Sequence, residues 1–283
     1  MLEIPESRTL ARQLKETVQG KKVTAVEANH SPHGFAFYTG DPAGYPKLLL
    51  GKTVSGANAW AGQSELELED ARLLFNDGVN VRYLPAGAKP PLKHQLYVGF
   101  EDGSALVCTV QMYGGMQAFR DGENENFYYL VAKEKPSPLS DGFDRRYFEG
   151  ILSQAKPNLS AKALLATEQR IPGLGNGCLQ DILFCASVHP KTRLCDLKDS
   201  DFDRLFHAVK DKLREMAEKG GRDTEKDLFG KQCGYRTLLS KNTIKDPCPV
   251  CGGGLVRQAY LGGNVYFCPA CQPLPKAAAG KRR

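Results

Sequence analysis

The spacing of apolar positions changes part-way along the chain. Over residues 6–18, Leu10, Leu14 and Val18 recur every four residues and Gly20 closes the run, which predicts a first helix. From Val23 to about Phe119 the pattern shortens to the β-leaning runs KKVTAVEA, SELELED, QLYVGF and SALVCTVQMY. The turn signals NDG, PAGAKPP and EDG separate them. KHQLYVGFEDGSALVCTV predicts two strands joined by a short Asp-Gly loop. Residues 133–142, KEKPSPLSDG, have linker composition. After them the period turns helical, through RRYFEGILSQA, AKALLATEQ, CLQDILFCAS and DFDRLFHAVKDKLREMAEKGG. In the last run Leu205, Val209, Leu213 and Met216 form one apolar stripe, ended by Gly220-Gly221.

The fold class expected is α+β. An N-terminal β-sandwich or barrel with a leading helix occupies 1–132, a linker 133–142, a helical domain 143–244, a small Cys-rich unit 245–273 and a basic tail 274–283. The length of 283 residues suffices for two cores. No apolar run approaches a membrane span, and MLEIPESRTL lacks the charged start and apolar stretch of a signal peptide. A cytoplasmic monomer without a membrane partner is expected, associated with the nucleoid if the source is bacterial.

Charge and cysteine narrow the picture. Residues 141–283 hold 24 Lys and Arg against 16 Asp and Glu, whereas residues 1–140 hold 14 against 16. A basic half beside a near-neutral one fits a polyanion partner such as nucleic acid, and fits a solubilising surface equally well. Nine cysteines, an odd number, argue against a disulfide scaffold. Cys248-x2-Cys251 and Cys268-x2-Cys271 are separated by sixteen residues. Two such thiolate pairs complete a tetrahedron, the ligand set of one structural zinc ion with no open position for catalysis. The sequence between them, GGGLVRQAYLGGNVYF, predicts a β-hairpin turning at Gly262-Gly263. Cys108, Cys178, Cys185 and Cys195 read as ordinary buried thiols, and Cys233 has no evident partner.

GLGNGCLQDILF begins as a glycine turn and ends as a helix. Amides of Gly175 and Gly177 at a helix N-terminus form an anion site, to which the Asn176 side chain adds a donor; alternatively Asn176 simply caps the helix.

These motifs, in this order, resemble the formamidopyrimidine-DNA glycosylase and endonuclease VIII family of base-excision repair proteins. MLEIPE is similar to the family's N-terminal PELPE. AKALLATEQRIPGLGNGCLQDILFCASVHP resembles its helix–two-turn–helix segment, and CPVCGGGLVRQAYLGGNVYFCPACQ its C-terminal zinc finger. The resemblance implies duplex DNA, damaged or distorted, as partner, bound and bent in a cleft between the domains. It implies Asn176 on a phosphate beside the lesion and the zinc hairpin on the backbone from the other side.

The resemblance also exposes substitutions. The family's nucleophile is an N-terminal proline amine; here Leu2 stands in its place and the Met1 amine, one residue away, is the available alternative. Glu3 matches the family's acid and Glu6 a second, usually structural, acidic position; taken alone, both residues fit helix-start charge better than catalysis. The hairpin lysine aligns with Gln63, the intercalating methionine with Val79, the gap-filling arginine with Gln111 and the zinc-hairpin arginine with Gly263. Lys93 and His94 resemble a basic pair of the family. Lys93 and Lys162 are read as phosphate contacts or as solvated surface, and Trp60 as a base-stacking wedge or half-buried packing. His30 and His33, in NHSPHG, are weak metal candidates, read as loop.

The expected function is therefore a repair-family protein that binds damaged or distorted duplex DNA and lacks the usual lyase activity. The alternatives are an active glycosylase and abasic-site lyase using Glu3 with water or the Met1 amine, or a DNA-binding protein without damage preference.

Overall fold

The computed structural model describes residues 2–275. Met1 and the basic Lys281-Arg282-Arg283 lie outside the described residues. The chain divides into two compact units: one runs to Glu134 and includes Ala217–Gly234, the other comprises Lys135–Met216 and the chain from Tyr235 onward. The segment 217–234, which periodicity alone attaches to the helical half, belongs with the first unit.

The first unit opens with helix α1, Ile4–Val18. It begins two residues earlier than the apolar period predicts. Pro5 suits the first helical turn, and the Glu6 carboxylate accepts the Glu3 backbone N–H at 3.2 Å, half of a capping box. There follow β1 (Val23–Ala28), β2 (Ala36–Phe37), the short helix α2 (Tyr45–Leu49), β3 (Val54–Trp60), β4 (Gln63–Leu68), β5 (Ala71–Phe75), β6 (Val79–Leu84), β7 (Leu96–Phe100), β8 (Ala105–Val110), β9 (Gly114–Arg120) and α3 (Phe127–Glu134). The strands form two sheets, β1-β7-β8-β6 and β2-β9-β5-β4-β3, antiparallel except for the β2–β9 pair. Their inward residues make one core: Val81, Leu96, Val98 and Leu106 from one sheet, and Leu66, Leu73, Phe75 and Met116 from the other. Leu10, Leu14 and Val18 of α1 join it. This is the expected sandwich with its leading helix.

The second unit carries α4 (Arg145–Gln154), α5 (Ala161–Ala166), α6 (Asn176–Cys185), most of α7 (Asp199–Glu218), and the antiparallel hairpin β10 (Val256–Tyr260) and β11 (Gly263–Phe267). The stripe Leu205, Val209, Leu213 and Met216 is fully buried. Between α5 and α6 the chain makes two turns, with Glu168, Gln169 and Gly173 at positive φ. The Arg170 guanidinium donates to the Thr167 carbonyl and hydroxyl, and to the Ala163 carbonyl, which also accepts the Thr167 hydroxyl, so the end of α5 is capped by side chains.

Candidate nucleic-acid interface and active-site region

In the second unit, α6 begins at Asn176 with Gly175 as its cap residue, so Asn176 is the first helical residue and not the cap. Its Nδ2 donates to the Asn264 carbonyl of β11 at 2.8 Å. Gln180, one turn on, donates to the same carbonyl at 3.1 Å and accepts the Tyr266 N–H at 3.0 Å. Turn and hairpin are thus neighbours on one surface, not two grips facing each other across a gap. The approach is close at Gly263, where a Cβ would lie 3.4 Å from Asn176 Nδ2, an ordinary contact distance. Lys162 overturns both of its sequence readings. It is 3% exposed and its Nζ donates to the Tyr260 carbonyl at 2.6 Å, with burial lowering its basicity. The hairpin turn is Leu261-Gly262, closed by the Tyr260–Gly263 pair, one residue before the predicted position. Both turn residues have positive φ, 46° and 72°, as a two-residue turn matching strand twist requires.

Cys248, Cys251, Cys268 and Cys271 converge at the foot of this hairpin, their sulfurs all within 4.8 Å of one another. Cys248 to Cys271 is 3.7 Å and Cys251 to Cys268 is 3.5 Å. A tetrahedral ion with metal–sulfur bonds of about 2.3 Å places its ligands about 3.8 Å apart, so the donor set fits one such ion. The Cys268 N–H is held by Gln272 Oε1 at 3.1 Å, and Gln272 Nε2 by the Val188 carbonyl at 2.8 Å, which ties the cluster to the chain after α6. Asp181 of α6 accepts from Leu238 N, Leu239 N and the Tyr235 hydroxyl at 2.8–3.0 Å, steering the chain toward Cys248. Burial nevertheless pushes its carboxyl up to about 6. Cys108, Cys178 and Cys233 are buried, but Cys185 and Cys195 are exposed, against expectation. Cys185 ends a helix and Cys195 lies in a short 3-10 turn, where the apolar period gives no burial signal.

In the first unit, Leu2 packs against the sandwich core. Glu3 is 2% exposed, and Arg222 Nη1 lies 3.0 Å from its Oε1. Arg222 also grips Glu6 through Nε (3.0 Å), Nη2 (2.8 Å) and its backbone N–H (2.8 Å). Burial alone would raise the Glu6 carboxyl, yet the Arg222 charge and hydrogen bonds hold it below the usual range. Sequence reading missed Arg222 entirely. The only available signal was a charged residue directly after Gly220-Gly221.

Gln63 opens β4 opposite Trp60, is buried, and its Nε2 donates to the Tyr128 carbonyl at 3.1 Å. Trp60 is packing: its Nε1 donates to buried Glu65 at 3.0 Å and it rests on Leu74, Phe119 and Tyr129. Val79 is 5% exposed and paired with Val110, so it is core and cannot wedge into a base step. The loop before it does meet the segment 111–115. Gly78 has φ +83°, and a Cβ there would fall 1.7 Å from the Tyr113 carbonyl oxygen, so only glycine fits. The Tyr113 hydroxyl donates to Asp77 at 2.8 Å. At this tip Gln111 is exposed and Met112 is 74% exposed. Lys93 is exposed on the loop before β7, whereas His94 is buried.

No protein-family model matches the chain. Curated relatives do. A formamidopyrimidine-DNA glycosylase of Legionella pneumophila is 27% identical over 281 residues, spanning 97% of this chain and 99% of the relative. One of Symbiobacterium thermophilum is 28% identical over 296 residues, spanning 99% and 92%. Among solved structures, a complex between Lactococcus lactis Fpg and DNA containing an abasic site superposes with a TM-score of 0.82 at 23% identity, covering 96% of this chain and 99% of that one. The Thermus thermophilus MutM (Fpg) protein superposes with a TM-score of 0.79 at 23% identity, covering 97% and 100%. Among the described residues no helix is long and apolar enough to cross a membrane.

Proposed function

The chain belongs to the formamidopyrimidine-DNA glycosylase and endonuclease VIII family of DNA repair proteins, and from that premise we propose that it binds damaged or distorted duplex DNA without performing the usual lyase cycle. The observation that carries this reading is the buried Glu3–Arg222–Glu6 cluster. The carboxylate that stands in the position of the family's acid is committed to an ion pair, and a leucine precedes it where the nucleophilic proline would be. The groups that would act on a flipped nucleotide are likewise absent: Gln63 replaces a lysine and is tied to a carbonyl, and Gln111 replaces an arginine.

The binding groups persist. The four cysteines take one zinc ion, which braces the hairpin beside α6. Asn176 Nδ2 carries two hydrogens, one satisfied by Asn264; the other, with the amides of Gly175 and Gly177, meets a DNA phosphate. In the first unit exposed Lys93 meets phosphate, and Gln111 with Met112 meets the bases. The complexes of Lactococcus lactis Fpg contain abasic-site and Fapy-dG DNA, which supports a preference for lesions here.

Borohydride trapping on abasic-site duplex should give no covalent adduct, and the abasic duplex should bind more tightly than the intact one at matched salt. An adduct that Glu3→Gln abolishes would establish the amine-dependent alternative, an active lyase using Glu3 with the Met1 amine, and the N-terminal mass would then say which amine is free; base release without an adduct would instead point to Glu3 acting with water. Equal affinity for both duplexes would remove the damage preference.

Asn176→Asp should weaken binding to every duplex roughly tenfold or more, since it trades a donor for a negative charge against phosphate. Unchanged affinity across a salt series would take Asn176 out of the interface.

A further inference from the structure

The two histidines of NHSPHG do not face one another. His33 Nδ1 accepts the Phe35 N–H at 3.3 Å within its own loop. His30 turns the other way. After β1 ends at Ala28, Asn29 takes a positive φ of 59°, and its N–H donates to the Gln95 carbonyl at 2.6 Å. Ser31 N–H donates to the His94 carbonyl at 2.9 Å, and Gln95 Nε2 to the Ser31 carbonyl at 2.9 Å. This pinned loop stacks His30 on His94, with ring centroids 4.2 Å apart and planes 6° from parallel. Glu27, the penultimate residue of β1, reaches both rings: one carboxylate oxygen is 2.7 Å from His30 Nδ1 and the other 3.7 Å from His94 Nε2.

His94 decides the chemistry. It is 3% exposed, and its Nδ1 lies 2.8 Å from the Pro91 carbonyl. A carbonyl only accepts, so Nδ1 carries the hydrogen, and in the neutral ring Nε2 carries a lone pair. That Nε2 is buried and has no hydrogen-bond partner among the described residues. A histidine whose second nitrogen donates to a backbone carbonyl is the usual oriented form of a metal-ligating imidazole. At 3.7 Å the Nε2–carboxylate gap is too long for a hydrogen bond. It lies near the separation of two ligands of one tetrahedral ion, which at bonds of about 2.1 Å stand about 3.4 Å apart. The ligand atoms of Glu27, His30 and His94 all lie within 4.8 Å of one another.

We propose that Glu27, His30 and His94 form a second metal site, for a divalent transition-metal ion of the kind that imidazole and carboxylate select, zinc foremost. The donor set, two nitrogens and an oxygen, is unlike the four thiolates of the hairpin and does not suit the hard ions magnesium and calcium. His94 and its carbonyl partner are the fixed part. The exposed His30 tilts out of the parallel stack to bring its nitrogen to the ion. Three protein ligands leave a coordination position open. The site does not rest on the DNA-binding reading, although His94 directly follows Lys93, the phosphate contact proposed there.

The test is metal stoichiometry of the full chain by native mass spectrometry after equilibration with zinc and removal of loosely held ion. Two equivalents are expected for the wild type and one for His30→Ala and for Glu27→Gln, both at exposed positions. Each substitution should weaken the second equivalent roughly tenfold or more, the least that disturbing a metal's ligand set costs. Excess zinc should raise the melting temperature of the wild type further than that of either variant. One equivalent in the wild type, or a second that persists in both variants, would overturn the site and leave the three residues as an ion-paired histidine stack.

Discussion

Arg222→Met should cost about 3–5 kcal/mol of folding stability, the usual loss when one partner of a buried ion pair is removed and the opposite charge stays behind. The size follows from the surroundings. Glu3, Glu6 and Arg222 are 2%, 5% and 2% exposed, and the one guanidinium serves both carboxylates. Arg222→Lys should recover little, because an ammonium cannot present the planar fork that spans Glu3 and Glu6 together. Replacing all three residues by neutral ones, Glu3→Gln and Glu6→Gln with Arg222→Met, should regain much of the loss.

The pH dependence carries the sign. Arg222 holds the Glu6 carboxyl below its unfolded value of about 4.3, so its contribution is complete above that pH and is lost as pH falls through the depressed folded value. In Arg222→Met the cation is gone and burial dominates. The folded Glu6 carboxyl then binds a proton more readily than the unfolded one, and stability rises on acidification. Urea unfolding at pH 7 and pH 4 checks both points. A loss under about 1 kcal/mol with an unchanged pH slope would mean that the cluster is not the closed ion pair its distances describe.

The second large effect concerns the four-cysteine hairpin. Removing the zinc proposed for it should unfold residues 248–271, because β10 offers almost nothing to a core: Val256 to Ala259 are exposed, and only Val265 and Phe267 of β11 are buried. Structural zinc in small fingers supplies on the order of 10 kcal/mol, far more than a lone hairpin gains from its own strands. The loss should spread to α6. Asn176 and Gln180 would lose the Asn264 carbonyl and the Tyr266 N–H, and with them the orientation of the turn. Hydrogen exchange with and without chelator should show protection vanishing across the hairpin and falling in the first turn of α6. Duplex affinity should drop in parallel. Unchanged protection would show that packing on Phe184 and Leu239 holds the hairpin without an ion.

Both effects arise from residues whose legibility in sequence differed greatly. The cysteine spacing announced a four-ligand site because thiolates two apart on a turn have few other uses. Glu3 and Glu6 could be seen, but only as candidates for two roles, acid or helix start. What chose between the surroundings of these carboxylates was Arg222, more than two hundred positions away, and no local pattern links them. Val79 illustrates the converse error. The resemblance aligns it with the family's intercalating methionine, whereas strand pairing with Val110 turns it into the core and leaves Met112 at the exposed tip.

The histidines make the same point. Sequence proximity paired His30 with His33, three residues apart; the fold pairs His30 with His94 because β1 and β7 are neighbours in one sheet. Local periodicity, turn chemistry and short-range ligand spacing were enough to determine the strand-rich half with its leading helix, the helical segment and the cysteine cluster, since each depends on residues a few positions apart. The Arg222 clamp, the Asn176–Asn264 junction, the buried Lys162 and the Glu27–His30–His94 group were decided only by tertiary structure. Each joins charges or hydrogen-bonding groups that lie far apart in the chain. Such groups leave no period in the sequence; burial brings them together and makes their pairing obligatory.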